Sequence, residues 1–177
     1  MKKLIMCEGP NELEIVKILL ENDCLCFTED DLLGLTPYHA RQIASSPQVR
    51  VALDMYTEKV DIYRIGDKQS DKLKIPAQYR DKIASVDKYC TKPELEMLLI
   101  IAEGMTDRYE KNKSQIKPKA FAKANIKSGK KKYDNSTVFF RDYFGDAPEM
   151  LVQCIKEYKR YNGSHDKDEH YLADLLR

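Results

Sequence analysis

Alternation constrains this chain most. Short apolar runs of strand length are followed by longer segments of helical period, with Gly and Pro at the joints. The first unit is "LIMCEGPNELEIVKILL", Leu4 to Leu20. Lys3–Cys7 reads as a strand, and Gly9-Pro10 starts a helix that runs to about Asn22, with Leu13, Val16 and Leu20 at helical spacing. Further strands are expected at "CLCF" (Cys24–Phe27), in "KVDIYRIGD" and at Lys82–Cys90. Helices are expected from Thr36-Pro37, over "SPQVRVALDMY" (with a strand as its alternative) and over "KPELEMLLIIAEG", the last with Pro93 near its start and Gly104 at its end. Apolar residues surround most of that last cylinder, so it should be buried. The whole reads as an α/β fold with a mostly parallel sheet flanked by helices.

The chain has 177 residues, enough for one domain with a modest extension. Lys and Arg (30) nearly balance Asp and Glu (29), so net charge selects no class of partner. The five cysteines are Cys7, Cys24, Cys26, Cys90 and Cys154. An odd count without a CxxC pair argues against a disulfide framework or a zinc site. Reduced thiols in a cytoplasmic protein are expected, with Cys7 and Cys90 packed in strands. After Lys2-Lys3 the apolar stretch is too short for a secretory signal, and Met97–Ala102 is far too short to span a bilayer, so no membrane partner is expected.

The character changes near residue 110. Residues 1–110 read as the α/β core and 111–177 as a lysine-rich segment with a helical C-terminal extension. Lys111 to Lys132 holds nine lysines and no acid. "STVFFRDYF", "PEMLVQCIKEYKRY" and "DEHYLADLLR" read as helices, with Tyr158 and Tyr161 packing between them. His39, His165 and His170 read as surface residues, and Asp166, Asp168 and Glu169 as a solvated patch.

Ligands of such folds collect at the carboxyl ends of the strands. Glu8 and Asp67 each follow a strand directly, and Thr91–Glu94 follows a third. Two carboxylates about 4 Å apart repel by roughly 4 kcal/mol at an effective dielectric of 20. If Glu8 and Glu12 face one partly buried spot, a proton, a lysine or a divalent cation must offset them. Each group has an ordinary reading as well. Glu12 decorates a first helical turn, Asp67 and Asp71 belong to turns, and Thr91-x-x-Glu94 is a capping box. Glu94 and Glu96 both precede apolar residues at helical spacing. At least one of them therefore lies near a buried surface, which is costly unless it is paired.

Taken together, Glu8-Gly-x-x-Glu12 after the first strand, an acidic motif after a middle strand and Thr91-x-x-Glu94 opening a later helix resemble a Toprim domain. The layout is similar to RloB-like and OLD-type single-domain Toprim nucleases, several of which serve in anti-phage defence. The resemblance covers about residues 3–105. The second motif departs from the usual Asp-x-Asp, because Lys68, Gln69 and Ser70 separate Asp67 from Asp71. The resemblance implies a Mg²⁺- or Mn²⁺-dependent nuclease acting on DNA or RNA. In it Glu8 is a ligand or general acid/base, Glu12, Asp67 and Glu94 are ligands, Asp71 is a fifth candidate, and Lys113 or Lys117 offsets transition-state charge.

The segment "KNKSQIKPKAFAKANIKSGKKKY" is a nucleic-acid footprint in its own right, with Lys113, Lys117, Lys119, Lys123, Lys127, Lys130, Lys131 and Lys132 as phosphate-neutralising cations. Phe121 and Tyr133 are placed to stack on bases if strands are open. A solvated lysine-rich loop is the ordinary alternative. Two other functions compete with the nuclease. One is a non-catalytic module that binds nucleic acid, a protein partner or a second copy of the chain. The other is an unrelated nucleotide-using α/β enzyme, disfavoured by the absence of G-x-G-x-x-G and P-loop patterns.

Overall fold

The structure is a computed structural model, and it describes residues 1–67, 72–92, 94–161 and 170–177. Strands β1 (Lys2–Cys7), β2 (Tyr38–His39), β3 (Val60–Gly66), β4 (Ile83–Cys90) and β7 (His170–Tyr171) form one sheet in the order β2-β1-β3-β4-β7. Every neighbouring pair is parallel. The remaining strands, β5 (Lys127–Ser128) and β6 (Lys131–Lys132), make a separate antiparallel ribbon. The helices are α1 (Pro10–Glu21), α2 (Pro47–Met55), α3 (Met97–Ala102), α4 (Thr106–Glu110), α5 (Pro118–Asn125), α6 (Thr137–Phe144) and α7 (Pro148–Tyr161).

Strand periodicity distributes the apolar residues to two faces. Ile5 and Cys7 of β1, with Ile65 of β3, join a core built with α1, α3, α5, α6 and α7. Leu4 and Met6, with Val60 and Ile62, join a smaller core under α2. Both faces are covered, as a parallel sheet requires. This larger core takes residues from Ile5 to Leu175, so packing runs on past residue 110 and the last strand belongs to the main sheet. Cys7 and Cys90 are buried strand residues, and Tyr158 is buried in the large core. No helix among the described residues is long and apolar enough to cross a membrane.

Four expectations are corrected. Thr36-Pro37 does not open a helix: Thr36 is extended at φ −155°, as a residue before proline prefers, and Tyr38 pairs with Met6 as an edge strand. Tyr38 is buried there and donates its hydroxyl to the Leu33 carbonyl at 3.1 Å. Cys24–Phe27 is not a sheet strand. Its backbone groups go to the C-terminus instead, Cys26 N–H to the Leu175 carbonyl and Arg177 N–H to the Cys24 carbonyl, both at 2.9 Å. The described part of "DEHYLADLLR" is not an α-helix. Tyr171 is buried as the edge strand beside β4, and a 3-10 turn over Leu172–Leu175 follows, with Asp174 accepting from Tyr171 N–H at 2.8 Å. Thr91 does not cap a helix. Its N–H donates to the Gly66 carbonyl at 3.1 Å and continues the β3–β4 pairing, while α3 begins only at Met97. The helix over Pro47–Met55 does form, and Ser46 caps it by accepting from Val49 N–H.

Candidate active cleft at the carboxyl ends of the strands

Strand order places the site. The chain leaves β1 toward β2 on one side, then crosses back to β3 on the other, so direction reverses between β1 and β3. At such a switch point the connections diverge and leave a crevice beyond the strand ends. Here the crevice is a cleft of about 260 Å³. Its acidic lining is Glu8 and Glu12 from the β1–α1 junction, Asp67 from the end of β3, and Glu94 and Glu96 from the approach to α3. Arg41, Lys119, Asn11 and Asn135 complete its polar wall. Glu8, Glu12, Asp67 and Glu94 therefore line one cleft. Asp71 lies outside the described residues, as do Pro93, His165, Asp166, Asp168 and Glu169.

Glu8 sits at the very end of β1, where its N–H donates to the Ile65 carbonyl at 2.9 Å. The residue is 4% exposed. Parallel register puts Met6, Arg64 and Lys88 in one row across β1, β3 and β4. The two cations of that row face Glu8 Oε1, Arg64 at 3.5 Å and Lys88 at 3.4 Å. Arg41 donates Nε–H to the Glu8 carbonyl at 3.2 Å and holds the junction from the other side. Glu8 is thus a buried, charge-compensated carboxylate, and an acid in such a place needs that compensation.

Glu12 folds back over Gly9, where a Cβ would come within 2.3 Å of its Oε2. Burial pushes its carboxyl above the usual carboxylate range, and the charges of Asp67, Glu96 and Glu8 push it the same way, against a lowering hydrogen bond from its own backbone. Among the described residues, no basic side chain lies within ion-pair distance of Glu12 or Asp67. Glu94 has a structural role that its sequence neighbours do not reveal. It accepts at 2.8 Å from Lys119 N–H, so it caps the first turn of α5, a helix that otherwise has no side-chain cap. Glu96 is the acid near a buried surface: it is 3% exposed and accepts from the Tyr133 hydroxyl at 2.7 Å, with Lys119 Nζ at 3.7 Å. Burial first, and then Glu96, raise the Tyr133 hydroxyl far above its ordinary value, so it stays a donor.

The basic segment divides. Lys119 lines the cleft. Lys113 instead pairs with Glu110 at 2.6 Å on the exposed surface and is no part of the cleft wall. Lys131 lies near Asp134 and Asp142 at 4.0 and 3.9 Å. Lys117, Lys123, Lys127, Lys130 and Lys132 are exposed. Phe121 and Tyr133 are not available for stacking. Both are 3% exposed and pack in the core, Phe121 against Tyr109 and Tyr133 against Phe139 and Phe140. Glu96, Asn11, Asn135 and Arg41 were missed as cleft residues. Only Glu96 left a signal, as an acid among apolar neighbours.

Among the described residues, no three Asp, Glu, His or Cys side chains come close enough together to hold a metal ion by themselves. The donors facing the cleft are hard carboxylate oxygens, the kind that Mg²⁺ takes in ones and twos while keeping several waters. The class defined by fold and site is therefore an α/β protein with a five-stranded parallel sheet and an acidic cleft at its switch point. No family model, curated protein or solved structure matches the chain.

Proposed function

We propose that the protein is a Toprim-type, Mg²⁺- or Mn²⁺-dependent nuclease that hydrolyses phosphodiester bonds of nucleic acid. One observation carries this reading. Glu12 and Asp67 share a cleft at the sheet switch point without a basic partner among the described residues, and Glu12 is pushed toward protonation first by burial and then by the charges of Asp67, Glu96 and Glu8. A divalent cation relieves that repulsion. Glu12 and Asp67 would hold it, with Glu94 offering its second oxygen and Glu8 bordering the same space.

When bound, the cation supplies polarisation of a phosphoryl oxygen and a more acidic water. The chain's own residues do the rest. Lys119, whose ammonium is near Glu96 and half-exposed, holds a non-bridging phosphate oxygen. Glu8, held between Arg64 and Lys88, shapes the floor of the cleft.

The test is cleavage of labelled single- and double-stranded DNA and RNA with Mg²⁺, with Mn²⁺ or with chelator. Metal-dependent cleavage that falls by about 100-fold or more in Glu12→Gln and Asp67→Asn is expected. Cleavage untouched by both substitutions, or absent with every metal and substrate, overturns the proposal. A non-catalytic binding module is the second reading. It is favoured by Glu8 and Glu94 being already engaged, by two cations and by the α5 N-terminus. Binding without turnover is its signature.

A further inference from the structure

We infer that the nucleic acid this cleft acts on is double-stranded and is gripped through its backbone by the lysine ribbon β5–β6. The inference rests on the reading of the cleft as a phosphodiester site and adds the form of the substrate.

The ribbon is rooted in the cleft at both ends. Before it, α5 places Lys119 on the cleft wall and ends at Asn125, with the extended Ile126 following. After it, Tyr133 N–H donates back to the Ile126 carbonyl at 3.0 Å, closing the base of the ribbon. The same Tyr133 donates its hydroxyl to Glu96 inside the cleft, and Asn135 reaches the cleft wall two residues on. The base of the ribbon is therefore fixed by buried residues, one of which bonds a cleft acid. Its tip is open, since nothing lies within 4 Å of a Cβ built on Gly129.

Its chemistry is cationic and not aromatic. Lys127, Lys130 and Lys132 are exposed, and no acid pairs with them among the described residues. The segment's two aromatic side chains, Phe121 and Tyr133, are in the core. Across the described residues, the exposed large hydrophobics are Met, Leu and Val, with no Phe or Tyr among them. Proteins that hold single strands use exposed aromatic faces on which bases stack. A surface of lysines without such faces neutralises phosphates, and a duplex presents these at about twice the density of a single strand. A two-stranded ribbon is also an element that a duplex groove admits.

The experiment measures binding of the full chain, in chelator so that nothing is cut, to a 20-bp DNA duplex, a 20-bp RNA duplex and the single strands of each. One or both duplexes are expected to bind about tenfold or more tighter than their strands, and the better duplex names the sugar. In the Lys127→Ala/Lys130→Ala/Lys132→Ala variant, the slope of log affinity against log salt should flatten by up to about 3. Its melting temperature should stay unchanged, because these side chains are exposed. Equal or tighter single-strand binding, no binding to any of the four probes, or an unchanged slope in the triple variant overturns the inference. Cleavage is read separately, so duplex binding without turnover sinks the nuclease and leaves the ribbon.

Discussion

The α-carbon of Gly66 lies against the carboxylate of Glu8: a Cβ built on Gly66 would sit 2.2 Å from both Cδ and Oε2 of Glu8. The missing side chain at the end of β3 makes room for the acid at the end of β1. Gly66→Ala should push the carboxylate away from Arg64 and Lys88 and cost about 1–3 kcal/mol. Glu8→Ala, which removes the acid those buried cations face, should cost about 3–5 kcal/mol. The double variant has no clash left to relieve, so its loss should fall well short of the sum. Urea denaturation of the four proteins checks this cycle, and strict additivity would show that the two residues do not touch.

Glu12→Gln should stabilise the metal-free protein at neutral pH. The folded state raises the Glu12 carboxyl above its unfolded value, mainly by burial. Between those two values the native state binds more protons, so stability falls as pH rises through the window. Its contribution is most favourable below the unfolded value and least favourable above the folded one. Melting temperatures in chelator should thus show a steeper loss toward neutral pH in the parent than in Glu12→Gln. Added Mg²⁺ should raise the melting temperature of the parent at pH 7–8 and leave that of Glu12→Gln nearly unmoved. An equal metal response in both proteins would remove Glu12 from the proposed cation site.

Tyr133→Phe should lower stability by about 1–3 kcal/mol, because the buried Glu96 carboxylate loses the hydroxyl donor at 2.7 Å. The ring's packing on Phe139 and Phe140 is kept, so circular dichroism should be unchanged. Tyr133→Phe combined with Glu96→Leu removes both partners and should recover part of the loss. Chemical denaturation decides the point.

Glu94→Ala and Lys119→Ala should separate a helix cap from a cleft cation. Glu94→Ala takes the acceptor from Lys119 N–H and should destabilise α5 by about 1 kcal/mol. Lys119→Ala keeps that backbone donor, so its stability should change little, while metal-dependent cleavage should fall by about tenfold or more. Lys113→Ala should change neither, since Lys113 faces Glu110 on the surface. Equal activity loss in Lys113→Ala and Lys119→Ala would dissolve the distinction.

The local pattern was enough for the elements that carry their own signals. The apolar runs at Lys2–Cys7, Val60–Gly66 and Ile83–Cys90 and the periodic stretch at Pro10–Glu21 form as expected, because period and punctuation are properties of neighbours in the chain. For the same reason Glu8 and Asp67 were legible as strand-end acids. Two-residue strands such as Tyr38–His39 and His170–Tyr171 carry no period and exist only because a sheet edge was there to receive them. The partners of the site acids were equally hidden. That Arg64 and Lys88 face Glu8 follows from parallel register across three strands, and that Glu94 caps α5 follows from packing 25 residues away. The sequence alone determined the α/β alternation and which acids stand at strand ends. Only the tertiary structure decided which of them meet a cation, a hydroxyl or a helix terminus, because burial and charge compensation depend on distances that close when the sheet and its two cores assemble.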